Sequence, residues 1–321
     1  MANVRLRVVS SLAACAATMV LSGVAGAAVQ FQLKLDKGKT YYQRTTTEQK
    51  IIQTIMGQEQ VTQVSMGNGQ KLEVLDVDPQ GNMQVRYTHI WTRIKQISPM
   101  VQLDYDSSAQ GPTPTGAEGF AALIGESYTA RLSPLGKVLD VNGVEQLAAA
   151  VRKKLLAGAE GSPAMSALAP YFDPQGVKEM TQTWLPLYPG RPVEVGDSWT
   201  DTKALTQGFG MVIQSTWTLQ KQQAGVATID TTASIQADPN APGMETQGMK
   251  VKFTVSGTQQ GTVLLDEATG LATKTDMKQQ LKGETKVGAT ADGPPMMVIP
   301  MTIDSQVTGE ISDQMWKSEA Q

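Results

Sequence analysis

Apolar and polar residues alternate with a period of two along most of this chain. Phe31-Gln-Leu-Lys-Leu35 alternates cleanly and predicts a half-buried strand. Thr40 to Thr54 is rich in β-branched residues and predicts a long strand, with a return over Gln60 to Met66. Leu72 to Val77 and Met83 to Ile97 predict a hairpin around Asp78-Pro-Gln-Gly-Asn82, whose Pro and Gly suit a turn. Gly111 to Gly119 reads as a loop. Ser127 to Leu132 and Lys137 to Val141 form a further hairpin around Ser133 to Gly136.

The period then changes. Val144, Leu147, Ala148, Val151 and Leu155 fall on one face of a helix. Asn142 and Glu145 have capping-box spacing, and Arg152, Lys153 and Lys154 suit a solvated helix end. Shorter helices are predicted around Ala164 to Tyr171 and Val177 to Thr183.

Pro186, Pro189 and Pro192 end the helical part, and Val193 and Val195 suggest a strand start before the Gly196-Asp197 turn and Trp199. Period-two segments then resume at Met211 to Gln220, Val226 to Ile235, Val251 to Ser256, Gly261 to Leu265, Leu271 to Lys282, Met297 to Gln306 and Val307 to Ile311, with a loop at Ala237 to Gly243.

The pattern therefore predicts an α+β chain, mainly antiparallel β. The expected shape is a curved sheet, or two, or a partly open barrel, with a central helical segment packed on it. Its parts are a leader over 1–27, a β-rich half over 28–141, a helical segment over 142–184 and a second β-rich half over 185–321. Glycine turns at Gly81 and Gly136, then at Gly225 and Gly270, are compatible with a duplicated β unit.

The first 28 residues change the picture. Arg5 and Arg7 precede an apolar run from Val8 to Val24, and Ala25-Gly-Ala27 follows. This reads as a secretory signal peptide cut between Ala27 and Ala28, hence an exported protein of the periplasm or cell envelope. The alternatives are an uncleaved anchor, for which the run is short, and lipidation at Cys15 within Leu12-Ala-Ala-Cys15. A lipoprotein would continue with a polar tether, whereas Ala16 to Val24 is apolar.

Cys15 is the single cysteine, so cleavage leaves no disulfide, thiolate nucleophile or cysteine zinc site. The formal charge of −3 becomes −5 without Arg5 and Arg7, and no basic stripe is present, so nucleic acid is not an expected partner. No later apolar run is long enough to span a bilayer.

Candidate chemistry is sparse. His89 is the only histidine, and alternation places it in a strand row with Val85, Tyr87 and Trp91. No nucleophile elbow, zincin or P-loop spacing occurs, and no catalytic, cofactor or metal residue is assigned. Asp76/Asp78 and Asp104/Asp106 could each present two carboxylates to one side, which suits strand-end solvation better than calcium. Gly293 to Met301 concentrates methionine, which points to core filling or a flexible apolar surface ahead of copper.

Leu33-Lys-Leu-Asp-Lys-Gly-Lys-Thr-Tyr41, Gln60-Val-Thr-Gln63, Pro192-Val-Glu-Val-Gly-Asp-Ser-Trp199 and Gly261-Thr-Val-Leu-Leu-Asp-Glu-Ala-Thr-Gly270 carry a resemblance. On them the chain resembles a family of uncharacterised exported bacterial envelope proteins, a domain of unknown function. The resemblance implies an envelope address and no known activity, so it adds no catalytic residue.

The expectation is a non-catalytic protein binding an apolar or lipid-like ligand, or a polypeptide, in a sheet groove. Val144, Leu147, Val151 and Leu155 would form one groove wall. The alternative is a structural or protein-interaction module of the envelope. A carboxylate-dependent hydrolase stands third.

Overall fold

The computed structural model describes residues 28–155, 172–206, 210–238, 244–246, 249–288 and 294–316. The expected leader with Ala27, the expected helix at Ala164 to Tyr171 and most of the expected Ala237 to Gly243 loop lie outside them.

In chain order the elements are β1 (Thr40–Ile55), β2 (Gln58–Val77), β3 (Met83–Ile97), β4 (Gln102–Asp106), helix α1 (Glu118–Leu123), β5 (Ser127–Leu132), β6 (Val138–Asn142), α2 (Val144–Lys154) and α3 (Pro174–Thr183). Then come β7 (Ser198–Leu205), β8 (Met211–Gln223), β9 (Val226–Ala237), β10 (Met244–Thr246), β11 (Met249–Asp266), β12 (Ala272–Gly288) and β13 (Met297–Ser312).

All thirteen strands lie in one sheet, ordered β6-β5-β3-β2-β1-β13-β12-β11-β9-β8-β7, with β4 beside β3 and β10 beside β11. Every ladder is antiparallel. The sheet is open, and β6 and β7 are its edges. Both β-rich halves belong to it, joined where β1 pairs with β13. Helix α3 packs against both edge strands.

Local chemistry explains the sharpest turns. Met56-Gly57 and Ala224-Gly225 link their strands through two residues with positive φ (51° and 78°, 52° and 77°). That conformation matches the right-handed twist of the strands it joins.

Several strands run straight through positions that read as breaks. β2 is one strand of 20 residues despite Gly67 and Gly69. A Cβ at Gly67 would lie 2.2 Å from the Trp91 ring, and one at Gly69 would lie 2.4 Å from the Trp316 ring. The glycines are seats for two indoles, not turns. β11 and β13 are likewise continuous.

Four other expectations change. Phe31 to Leu35 keeps its alternating burial, with Phe31, Leu33 and Leu35 in the core, but joins no ladder. Its amides bond to loops instead: Leu33 N–H to Pro134 O and Lys34 N–H to Thr269 O, both 2.8 Å. Val193 starts no strand and makes a single bridge to Val29.

The α2 capping box is not formed. Gly143, with φ 85°, is the N-cap, and Asn142 ends β6 with its amide donating to Asp140. Lys154 is no free helix end either. Its ammonium donates to Ala122 O and Ile124 O and lies 2.7 Å from Glu126. α3 starts conventionally: Asp173 accepts from Gly176 N–H, and Pro174 takes the first turn.

The main core lies between the inner face of the sheet and α1, α2 and α3. A second cluster sits further along that face, with Ile235, Val255, Leu281 and Met301 buried.

Candidate functional site

Register decides what the inner face presents. Gln43 pairs with Gln70 and Ile311, and Gln70 with His89. The next row is Thr45, Gly309 and Thr275, then Thr47, Val307 and Met277, then Gln49, Ser305, Gln279 and Gln259. The last row is a polar belt. Gln49 donates to Ser305, and Gln279 donates to Gln259. It separates the main core from the second cluster.

A bulge shapes the start of this sequence of rows. Gly69 pairs with Trp91 and Gln70 with His89, so Ile90 is extra. Trp91 therefore faces outward, against Arg44 and Trp316, and leaves the row in which alternation had placed it with His89.

A cleft lies where the central strands meet the segment after α3. The strands supply Gln43, Thr45, Gln70, Leu72, Tyr87 and Ile311. Opposite them stand Thr181 of α3 and Trp184, Leu185, Pro186 and Tyr188. Its volume is about 50 Å³. That admits the end of a ligand rather than a whole one, since sites for small ligands are usually several hundred Å³. Trp184 forms the outer lip, 42% exposed.

The roof segment is tied down. Lys203 donates to Leu185 O at 2.9 Å, and the Trp199 indole donates to Leu187 O at 3.0 Å. Tyr188 N–H bonds to Leu135 O, and its hydroxyl donates to Gly270 O. Lys203 is itself buried, so desolvation holds its ammonium below the usual lysine range against the opposing pull of Asp201 3.9 Å away.

The inner end holds two stacked tyrosines. The rings of Tyr87 and Tyr128 are 5.2 Å apart and nearly parallel. The Tyr128 and Thr181 hydroxyls are 2.9 Å apart, and Thr181 also donates to Val177 O. The Tyr87 hydroxyl is buried and has no partner among the described protein groups. Burial pushes it far above the usual phenol range, so it stays protonated. His89, beside Tyr128, is pushed down to about 4 by burial and is neutral near pH 7.

Of the residues expected from sequence, Val144, Leu147 and Val151 are buried and Leu155 half-buried, all packed in the main core. The lining of this cleft comes instead from α3, the segment after it and the sheet. Tyr87, Tyr128, Thr181, Gln43 and Gln70 were not singled out as site residues, and the row containing Tyr87 and His89 was their only signal. Ala28 opens the described residues.

The acidic pairs have structural work. Asp76 meets Lys37 at 2.8 Å. Asp78 accepts from Asn82, Gln80 and Arg131, and these bonds, those to Asn82 foremost, hold it down to about 2. Asp106 accepts from the Trp91 indole and Ser108. Among the described residues no three His, Cys, Asp or Glu side chains are grouped to hold a metal ion.

The methionines divide. Met301 fills the second core cluster, while Met296 and Met297 are 74% and 40% exposed. A second, open concavity of about 630 Å³ has Glu48, Lys50, Gln63, Gln260, Lys278 and Gln306 among its lining, with mixed charge.

The fold and cleft define an open antiparallel sheet whose inner face is packed by helices and holds a small, mostly apolar recess. The sequence profile of the family of unknown function (DUF6263) matches residues 78–272, and the chain belongs to that family. Pro192 to Trp199 and Gly261 to Gly270 lie within the match, while Leu33 to Tyr41 and Gln60 to Gln63 precede it.

No curated protein matches the chain. Among solved structures it is similar to lipovitellin, in a structure titled for lipid–protein interactions, at 9% identity and TM-score 0.46 over 89% of this chain. The alignment spans 27% of the lipovitellin chain. It is also similar to Salmonella typhi OmpF in complex with daunomycin, at 6% identity and TM-score 0.24, covering 88% of this chain and 100% of that one. Pseudomonas aeruginosa OpdQ follows at 6% identity and TM-score 0.20, covering 85% and 98%. No helix among the described residues is long and apolar enough to cross a membrane.

Proposed function

We propose that this is an exported envelope protein that binds an apolar or lipid-like ligand without transforming it. One end of the ligand enters the cleft beneath Trp184 to Tyr188. The observation that carries this reading is the lining itself: apolar side chains from strands and roof converge on a few uncharged polar groups. That is the composition of a small-molecule site. The export half of the reading rests on the leader over 1–27. Binding of this kind needs no catalytic group, and His89 is packed in the interior.

Native mass spectrometry of protein extracted gently from its own envelope fraction tests the reading. A retained small apolar molecule, displaced when the cleft is filled by substitution, is the expected result. A protein free of any such molecule, and unable to take one up, would overturn it.

A docking role is the second reading. It is favoured by Met56 and Met296, 91% and 74% exposed. Met56 tips the β1–β2 hairpin, and Met296 precedes β13 beside it. A stoichiometric protein partner in the same spectrum would support that role.

A further inference from the structure

The cleft is not equally suited to every head group, and its polar groups indicate which one fits. Resting on the ligand-binding reading above, we infer that the ligand is an uncharged amphiphile whose single hydroxyl or carbonyl reaches the Tyr87 hydroxyl. Its apolar body would then lie outward along the inner face, over Val307 and Met277.

Three observations carry this. The first is Tyr87, which lines the cleft and is 3% exposed; its hydroxyl is buried and has no partner among the described protein groups. A buried hydroxyl without a hydrogen bond is costly, and a ligand oxygen supplying one is favoured accordingly. Gln43 and Gln70, which also line the cleft, are amides that can meet a neutral donor or acceptor.

The second observation is charge. Among the residues lining the cleft only Glu310 is ionisable to a carboxylate, it is exposed, and there is no lysine, arginine or histidine. A carboxylate or phosphate would be buried with no cation, and the Glu310 side chain alternates to the opposite face of the sheet. An ammonium would reach the inner end with no carboxylate there. Burying either charge unpaired is far more expensive than burying a hydroxyl.

The third is the path outward. From the cleft row Thr45, Gly309 and Thr275, the next inner-face row is Thr47, Val307 and Met277, all half-buried. Val307 and Met277 offer an apolar surface. The polar belt of Gln49, Ser305 and Gln279 follows. Gly309 to Ser305 is four residues of extended chain, roughly 13 Å. This length, added to the depth of the cleft, suits a short apolar body and disfavours a long one.

The test uses the full mature chain and four eight-carbon probes: 1-octanol, octanoate, octylamine and 1-chlorooctane. Binding is read by titration calorimetry, for wild type and Tyr87→Phe, with thermal melts to show that both are folded. The expected result is 1-octanol binding about tenfold tighter than 1-chlorooctane, as one neutral hydrogen bond allows. Octanoate and octylamine should bind weakest at neutral pH. In Tyr87→Phe the preference for 1-octanol over 1-chlorooctane should vanish, while 1-chlorooctane binding is kept.

Equal binding of 1-octanol and 1-chlorooctane to wild type, tighter binding of either charged probe, or a preference that survives Tyr87→Phe would each overturn the head-group assignment and leave ligand binding standing. Failure of all four probes to bind would remove both.

Discussion

His89 is the clearest case of a single residue whose setting has a measurable consequence. It is 2% exposed, and burial lowers its pKa to about 4 from the ordinary 6.5. Above pH 6.5 the ring is neutral in the folded and unfolded chain alike. As the pH falls from 6.5 towards 4 only the unfolded chain takes up the proton, so folding stability declines through that window. Between pH 7 and pH 5 the decline from this residue should be about 2 kcal/mol. The chain has no other histidine, so nothing else of that ordinary pKa contributes. Urea titrations at the two pH values measure it, and His89→Gln should flatten the dependence. Gly67 gives a second residue-scale expectation. Gly67→Ala sets a methyl against the Trp91 ring and should cost about 1–3 kcal/mol in a thermal or urea denaturation.

At the scale of elements, α2 is held by a buried stripe and a tethered end. Leu147→Ala should cost about 2–5 kcal/mol, since Leu147 is 2% exposed within the main core. Lys154→Ala should cost about 1 kcal/mol, because it strips hydrogen bonds from Ala122 O and Ile124 O. It should also speed amide exchange from Ile124 to Glu126, whereas Lys153→Ala should change little.

Period-two alternation made most strands legible, though not β4 or β10, and the α2 stripe was legible from its 3.6-residue spacing, while α1 was not read. Two further things were hidden. Glycine reads as a turn, yet Gly257 and Gly283 lie mid-strand, where a Cβ would come within 1.9 and 2.0 Å of carbonyl oxygens on the neighbouring strand. They permit close strand approach, which only the paired strand reveals. The cleft was equally hidden. The Ile90 bulge separates the faces of His89 and Trp91, and the roof comes from a proline-rich stretch whose hydrogen bonds go to distant partners.

For the whole molecule, one sheet carries both β-rich halves, with α3 against both of its edges. The expected outcome is a single unfolding transition, with tryptophan fluorescence and far-ultraviolet circular dichroism coincident across a urea titration. Two separated transitions would mean that the halves fold as independent domains. The seam at β1 and β13 also sets the order in which the protein can be made. Gln49 and Ser305, hydrogen-bonded neighbours there, are 256 positions apart in sequence. The first strand therefore gains its second neighbour only after almost the whole chain has been synthesised. Closing so long a loop is slow, and the centre of the sheet is among the last parts to assemble. A chain built this way leaves one edge of its first strand unpaired until β13 is available, and an unpaired edge is open to mispairing in the meantime.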